Sequence, residues 1–420
     1  MFFRYCVCLM IMLGSIGVGG SAQALETLSW KDCLEEAGRN HPDLVSAREK
    51  LNQAKASKAV TRSAVLPQIN GSAGADTGKI QGQARTESYS YGVSGKQLLF
   101  DGFKTSNDLA AAQENIKSAQ YGYQVVSSNV RLNLWEAFVN LLSAQESLKV
   151  ARSILDRRNQ NLELVKLQYQ SGMEHKGSLL TAEANAAQAE LDYVEAQRSV
   201  ELFQRSLTKS LGRSIFTPIT ASGDLSVGNI DRAKPDFEKL VDSTPLLKEL
   251  AAQKEAARFG VKSVKSVFFP QIYADAGVGK SDNQWLPKTG NWSAGLSLSF
   301  PIFQGGQQQA ALEKARAAYS QVQADERSGR AGVIMTLAQT WTDWQNNVDQ
   351  AGVQQKFLMA SQQRADIVEA QYKSGLATFN DWTTIEDNLV RDQKALLQSK
   401  ANALISEANW RQAKGETLDE

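Results

Sequence analysis

The chain is written twice. Sliding the sequence 203 positions along itself brings Pro42 onto Pro245 and Leu44 onto Leu247 without a gap. Pro67-Gln68-Ile69 falls on Pro270-Gln271-Ile272, and Gly92 with Ser94 on Gly295 with Ser297. Phe100 and Gly102 fall on Phe303 and Gly305. Tyr169, Ser171 and Gly172 fall on Tyr372, Ser374 and Gly375, and Gly212 on Gly415. The matches collect at proline and glycine, the residues that set backbone direction. What is duplicated is therefore an order of structural elements. The first repeat occupies residues 25–212 and the second 245–420, with a connector over 213–244. Pro218, Gly223, Gly228 and Pro235 make that connector read as irregular.

Each repeat reads helix, strand, strand, long helix, turn, returning helix. The opening helix is expected over 28–65 and ends at Pro67, which cannot continue it. Strands follow at about 68–100 and 271–303. Trp292, Ala294, Leu296, Leu298 and Phe300 alternate with Ser293, Gly295, Ser297 and Ser299, a period of two with one apolar and one small polar face. Tyr89, Tyr91 and Val93 do the same in the first copy. Residues 78–87 and 281–291 are polar and read as hairpin loops. Phe100-x-Gly102 and Phe303-x-Gly305 mark the strand-to-helix turns. The helix after Gly102 runs to about 170 with no proline, and Leu134, Leu141, Leu148, Leu155, Leu162 and Tyr169 recur every seven residues. Ala137, Ala144 and Ala151 form a parallel small-residue row. This is a seam for close side-by-side helix packing, and at 1.5 Å per residue the rod spans about 100 Å. Returning helices are expected over 176–211 and 379–414.

Lys and Arg number 46 against 45 Asp and Glu. A charge this balanced excludes nucleic-acid attraction as the main function. Residues 1–24 carry Arg4, an apolar run and a Ser-Ala-Gln-Ala exit, the pattern of a secretory signal peptide. Cys6 and Cys8 lie inside it, so Cys33 alone remains and no internal disulfide is expected. Trp30, Lys31 and Asp32 before Cys33 are too bulky or charged for a lipidation site. Beyond Ala24 there is no run of about 18 apolar residues, so any membrane crossing must use strands. Four strands are too few, since membrane barrels need about eight or more. The expectation is that several copies pool their strands. His41 and His175 are the only histidines and are far apart in sequence. No nucleophile has a partner base. Neither an enzyme nor a metal or cofactor site is expected.

The duplicated set, with Leu99-Phe100-Asp101-Gly102, Pro301-Ile302-Phe303-Gln304-Gly305-Gly306 and the two Tyr-x-x-Gly turns, resembles the TolC family of outer-membrane efflux channels over essentially the whole mature chain. A secreted structural coiled coil matches the heptads but not the hairpins placed alike in both repeats. The resemblance implies a mainly α fold with a small β part: a duplicated repeat of long coiled-coil-like helices forming an α-barrel, and four strands per chain given to a shared transmembrane β-barrel. It implies a homotrimer in the Gram-negative outer membrane, in contact with its lipid, with a periplasmic extension. The implied partners are a periplasmic adaptor and an inner-membrane transporter, either ABC-type or proton-driven. Ser171, Gly172 and Met173, with Ser374, Gly375 and Leu376, are implied as adaptor contacts at the far tip; they also read simply as helix-closing turns. The family's pore gate falls on Asp381 and Thr384, where the second aspartate of the family pattern is replaced by threonine. Asp381 reads equally as a helix cap. Trp292, Tyr89 and Tyr91 read as a membrane-edge girdle or as ordinary strand packing. Glu386 and Asn388, matching Glu183 and Asn185, read as interhelical contacts.

Overall fold

The computed structural model describes residues 26–82, 84–228 and 233–419; the expected signal peptide lies outside them. Short strand β1 (Glu26–Ser29) leads into helix α1 (Trp30–Asn40) and helix α2 (Pro42–Ser63). Strands β2 (Gln68–Gly78) and β3 (Thr86–Phe100) precede the 67-residue helix α3 (Lys104–Gln170) and helix α4 (Lys176–Ser210). The connector carries β4 (Ile219–Ser222) and a single turn, α5 (Phe237–Leu240). The order then recurs as α6 (Pro245–Lys265), β5 (Gln271–Asp282), β6 (Gly290–Ser299), the 67-residue α7 (Gln307–Lys373) and α8 (Phe379–Lys414).

Two expectations are corrected. The opening helix is not continuous over 28–65. His41 is extended and its ring nitrogen accepts from the Asp43 amide, while Pro42 takes the first helical position of α2, where a missing N–H costs nothing. α1 begins instead at Trp30, capped by Ser29, which exchanges capping-box bonds with Asp32. The connector is not wholly irregular either. β4 pairs in parallel with β1, Glu26 opposite Ile219 and Ser29 opposite Ser222. The signal was the alternation of Ile219 and Ala221, whose side chains are buried with Leu28, Leu207 and Leu211 in the central core. Arg213 fastens this region by reaching both Glu26 and Glu36.

The long helices pack as a layer. α3 lies beside α2 and α4 on one flank and α6 and α8 on the other, and α6 and α8 in turn lie beside α7. The leucine and alanine rows meet this packing in the middle of the rod: Leu134, Leu141, Ala137, Ala144 and Ala151 are all buried. Trp30 of α1 sits edge-on to Trp135 of α3, ring centroids 4.6 Å apart. Above the helices, all four long strands form one antiparallel sheet in the order β2-β3-β5-β6.

Gly102 is required at its junction. Its φ is +65°, and a β-carbon there would come within 2.6 Å of Phe269 Cβ. The carboxylate of Asp101 then accepts from the Thr105 amide at 2.8 Å and fastens the first turn of α3. Gly305 and Gly306 take the same left-handed conformation before α7.

Candidate channel and tip sites

The strand register sorts side chains by chemistry. Val93 lies opposite Val278, which lies opposite Trp292, and Tyr91 lies opposite Ala73. Ile69, Ala276, Leu296 and Leu298 share that face by the same pairing, since side chains alternate along each strand. The other face is small and polar. Ser72 is opposite Gly92 and Gly92 opposite Gly279; Ser94 is opposite Gly277, and Gly277 opposite Ser293. Lys96 and Asp275 are paired there, with Ser297 donating to Asp275 at 2.8 Å. Trp292, Leu296, Leu298, Val278 and Ile69 are all exposed in the single chain. Such an apolar surface on a sheet requires cover. Among the described residues, the outer strands β2 and β6 each have one backbone edge without a neighbouring strand.

At the opposite end, α3–α4 and α7–α8 turn by the same motif. Gly172 N–H reaches Tyr169 O and Met173 N–H reaches Gln168 O; Gly375 N–H reaches Tyr372 O and Leu376 N–H reaches Gln371 O. Both are Schellman closures with glycine at φ +74°. Met173 and Leu376 project from these turns, 74% and 80% exposed. Ser171 and Ser374 bond back to carbonyls of their own helices, Gln168 O and Ala370 O.

The two turns differ in what supports them. Tyr372 is 5% exposed and stacked on Trp382, centroids 4.4 Å apart and planes 20° apart. Its repeat mate Tyr169 is 39% exposed. The Tyr372 hydroxyl donates to Glu174 of the other turn at 3.4 Å, and burial together with that carboxylate pushes its ionisation well upward. His175 caps α4, its ring nitrogen accepting from the Ser178 amide at 3.2 Å. In the second copy Thr378 is the cap and Asp381 its partner: Asp381 Oδ2 accepts from Thr378 Oγ1 at 2.6 Å and from the Thr378 amide at 3.3 Å. The cap is therefore three residues earlier than Asp381. Asp381 and Thr384 are both exposed, and the Thr384 hydroxyl bonds Asn380 O.

Just above, ionic contacts join the two repeats. Glu386 is 1% exposed, and its Oε1 lies 3.5 Å from Arg157 of α3. Burial raises its proton affinity, and Arg157 and Arg158 oppose that. Arg158 meets Asp387 at 2.5 Å and Lys394 meets Asp192 at 2.6 Å. Glu386 is thus an interhelical contact, whereas its repeat mate Glu183 is exposed. Sequence reading did not find Arg157, Arg158, Glu174 or Trp382. Glu174 and Trp382 sit beside residues it had singled out, but Glu174, Arg157 and Arg158 meet partners about 200 residues away in the other repeat, and Trp382 stacks on Tyr372 within its own repeat. Phe100 and Phe303 flank the strand-to-helix turns; Phe100 packs edge-on against Phe103 at 5.6 Å, and Phe303 is exposed.

Among the described residues no helix is long and apolar enough to cross a membrane. The model of the family described as outer membrane efflux protein matches residues 33–213 and 238–416. The outer membrane efflux protein BepC of Brucella suis biovar 1 is 21% identical over 387 residues, covering 90% of this chain and 84% of that one. The outer membrane protein TolC of Vibrio cholerae serotype O1 is 23% identical over 384 residues, covering 85% of each. A crystal structure of CusC superimposes with a TM-score of 0.83 at 20% identity, covering 91% of both chains. With two family segments that take in both hairpins and all four long helices, the chain belongs to the outer membrane efflux protein family and is an outer-membrane exit duct with a periplasmic tunnel.

Proposed function

We propose that three copies of this chain assemble head to tail into one continuous tube. Twelve strands form a barrel in the outer membrane and twelve helical rods form the tunnel below it. One observation carries this reading. The sheet and the helical layer are open at both edges, and the edges follow the same repeat order, β2 and α2/α4 on one side, β6 and α7 on the other. A heterologous contact repeated around an axis closes a ring and leaves no edge. The exposed residues of the outer helices supply its seam. Leu180, Leu191 and Leu202 stand on α4, and Val353, Phe357 and Ile367 on α7. In the barrel the Val93–Val278–Trp292 face meets lipid and the serine and glycine face lines the pore.

The tunnel receives cargo from an inner-membrane transporter, of ABC or proton-driven type, through a periplasmic adaptor. The adaptor contacts are the turns at Ser171-Gly172-Met173 and Ser374-Gly375-Leu376. Exposed Met173 and Leu376 on fixed backbones support that role, as preorganised apolar anchors suit partner binding. Asp381, repeated by three subunits at the narrow end, forms a ring that favours cations.

Cysteine pairs test the assembly. One cysteine goes on β2 at Ile69 and one on β6 at a residue facing it across the subunit boundary. Oxidation in isolated outer membranes is expected to give covalent dimers and trimers. A chain that stays monomeric under this treatment, and after gentle detergent extraction, overturns the tube.

A further inference from the structure

Near the tip, α3, α4 and α8 border a small cavity lined by Arg158, Asn161, Asn185, Trp382, Thr383 and Glu386. Two of these side chains bring polar atoms that have no partner among the described residues, Trp382 Nε1 and Glu386 Oε2. Trp382 is 2% exposed and Glu386 1%, so bulk water reaches neither. A buried donor or acceptor left unmet costs about 1–3 kcal/mol, and two side chains that each carry such an atom border the same cavity, which points to a shared occupant.

The chemistry of the pair selects it. The indole N–H only donates, and Glu386, ion-paired through its other oxygen with Arg157, offers Oε2 as an acceptor when it is ionised. A metal cation cannot accept from the indole, and Arg157 and Arg158 already supply positive charge nearby. An anion cannot donate to the carboxylate. An apolar guest satisfies neither atom. What remains is a small neutral molecule that both accepts and donates, and the cavity has room for about one water.

We propose that this cavity holds a single structural water, accepting from Trp382 Nε1 and donating to Glu386 Oε2. The other carboxylate oxygen faces Arg157, and Asp387 engages Arg158. The water therefore completes the shell of a carboxylate that is closed off from solvent. Asn161, Asn185 and Thr383 stand around the same space and supply the further bonds that hold a buried water. It links α8 to itself across one turn, from Trp382 to Glu386, at the level where α3 and α8 are tied by their ion pairs.

A structure of the intact wild-type channel, at a resolution where ordered waters are visible, tests this. The expected result is one peak within hydrogen-bonding distance of both Trp382 Nε1 and Glu386 Oε2, and its loss or displacement in Trp382→Phe. A cavity without a peak in the wild-type map overturns the proposal. So does a peak bonded to only one of the two atoms, or a direct bond from either atom to another protein group. Data from channel exchanged into a rubidium salt decide the remaining case: an anomalous signal in the cavity means a cation site, and overturns the water. The wild-type maps suffice if Trp382→Phe does not fold.

Discussion

Gly415, just past the end of α8, is seated against the ring of Pro245, the first residue of α6. A β-carbon on Gly415 would overlap that ring, and its φ is +91°. The first repeat is built alike: a β-carbon on Gly212 would come within 2.9 Å of His41 Cα and 3.1 Å of Pro42 Cδ, at φ +80°. In both repeats, then, the returning helix ends where the opening helix begins, and the two stack as one rod beside the long helix. Gly415→Ala and Gly212→Ala each impose left-handed strain and a steric conflict. A left-handed non-glycine residue alone costs about 1–3 kcal/mol, so each variant is expected to lose at least about 2 kcal/mol. Gly332→Ala, where a β-carbon meets nothing within 4 Å, is expected to be neutral or slightly stabilising, because alanine favours a helix interior. Thermal melting of the three variants checks this ranking.

The repeated tyrosines give a second contrast. Tyr372 stacks on Trp382 within the tip core of Val165, Ala182 and Trp382, while Tyr169 is substantially solvent-exposed. Removing a buried aromatic side chain costs about 3–5 kcal/mol, and exposed positions usually change stability by about 0.5 kcal/mol or less. Tyr372→Ala is therefore expected to loosen the α7–α8 turn, read as faster amide exchange across residues 365–385. Tyr169→Ala should leave exchange in its own turn nearly unchanged. Equal effects in the two turns would contradict the asymmetry.

Much of this architecture was legible in the sequence, for a physical reason. Proline and glycine act locally, so Pro67, Gly102, Gly172 and Gly375 mark boundaries wherever they stand. The alternation from Trp292 to Phe300 and the leucines from Leu134 onward likewise need only short windows. The break at His41 was missed because the helical pattern on either side hid the meaning of Pro42, which suits the start of a helix as well as the end of one. β4 was missed because a four-residue strand has little periodicity, and its partner β1 lies 193 positions earlier. At the tip, the Tyr-x-x-Gly turns could be read from sequence, but not which tyrosine is buried. That depends on Trp382 and on Glu174 across the repeat boundary.

Glu386 makes the stability of the tip depend on pH. Burial raises its folded pKa above the unfolded value near 4.5, against the pull of Arg157 and Arg158. Between those two values the folded chain binds more protons than the unfolded chain, so this group's contribution to stability falls as pH rises through the window. Glu386→Gln removes the titration. The melting temperature of wild type minus that of Glu386→Gln is expected to fall on going from about pH 4 to about pH 8, and to level off once the folded carboxylate has ionised. A difference that stays flat, or that grows with pH, contradicts the direction of the shift.

Asp381 serves as capping partner and is proposed as pore charge, and the two roles separate by substitution. Its Oδ2 closes the capping box with Thr378, and loss of such a cap costs about 0.5–2 kcal/mol. Asp381→Asn keeps an acceptor oxygen for Thr378 but removes the charge. Thr378→Ala removes the cap's hydroxyl but leaves the carboxylate. If three Asp381 side chains ring the narrow end, Asp381→Asn should reduce cation selectivity in single-channel recordings with little loss of thermal stability. Thr378→Ala should do the reverse, lowering the melting temperature while leaving selectivity near wild type. Unchanged selectivity in Asp381→Asn would leave Asp381 with its capping role alone, and the constriction would then have to be sought elsewhere along the tunnel.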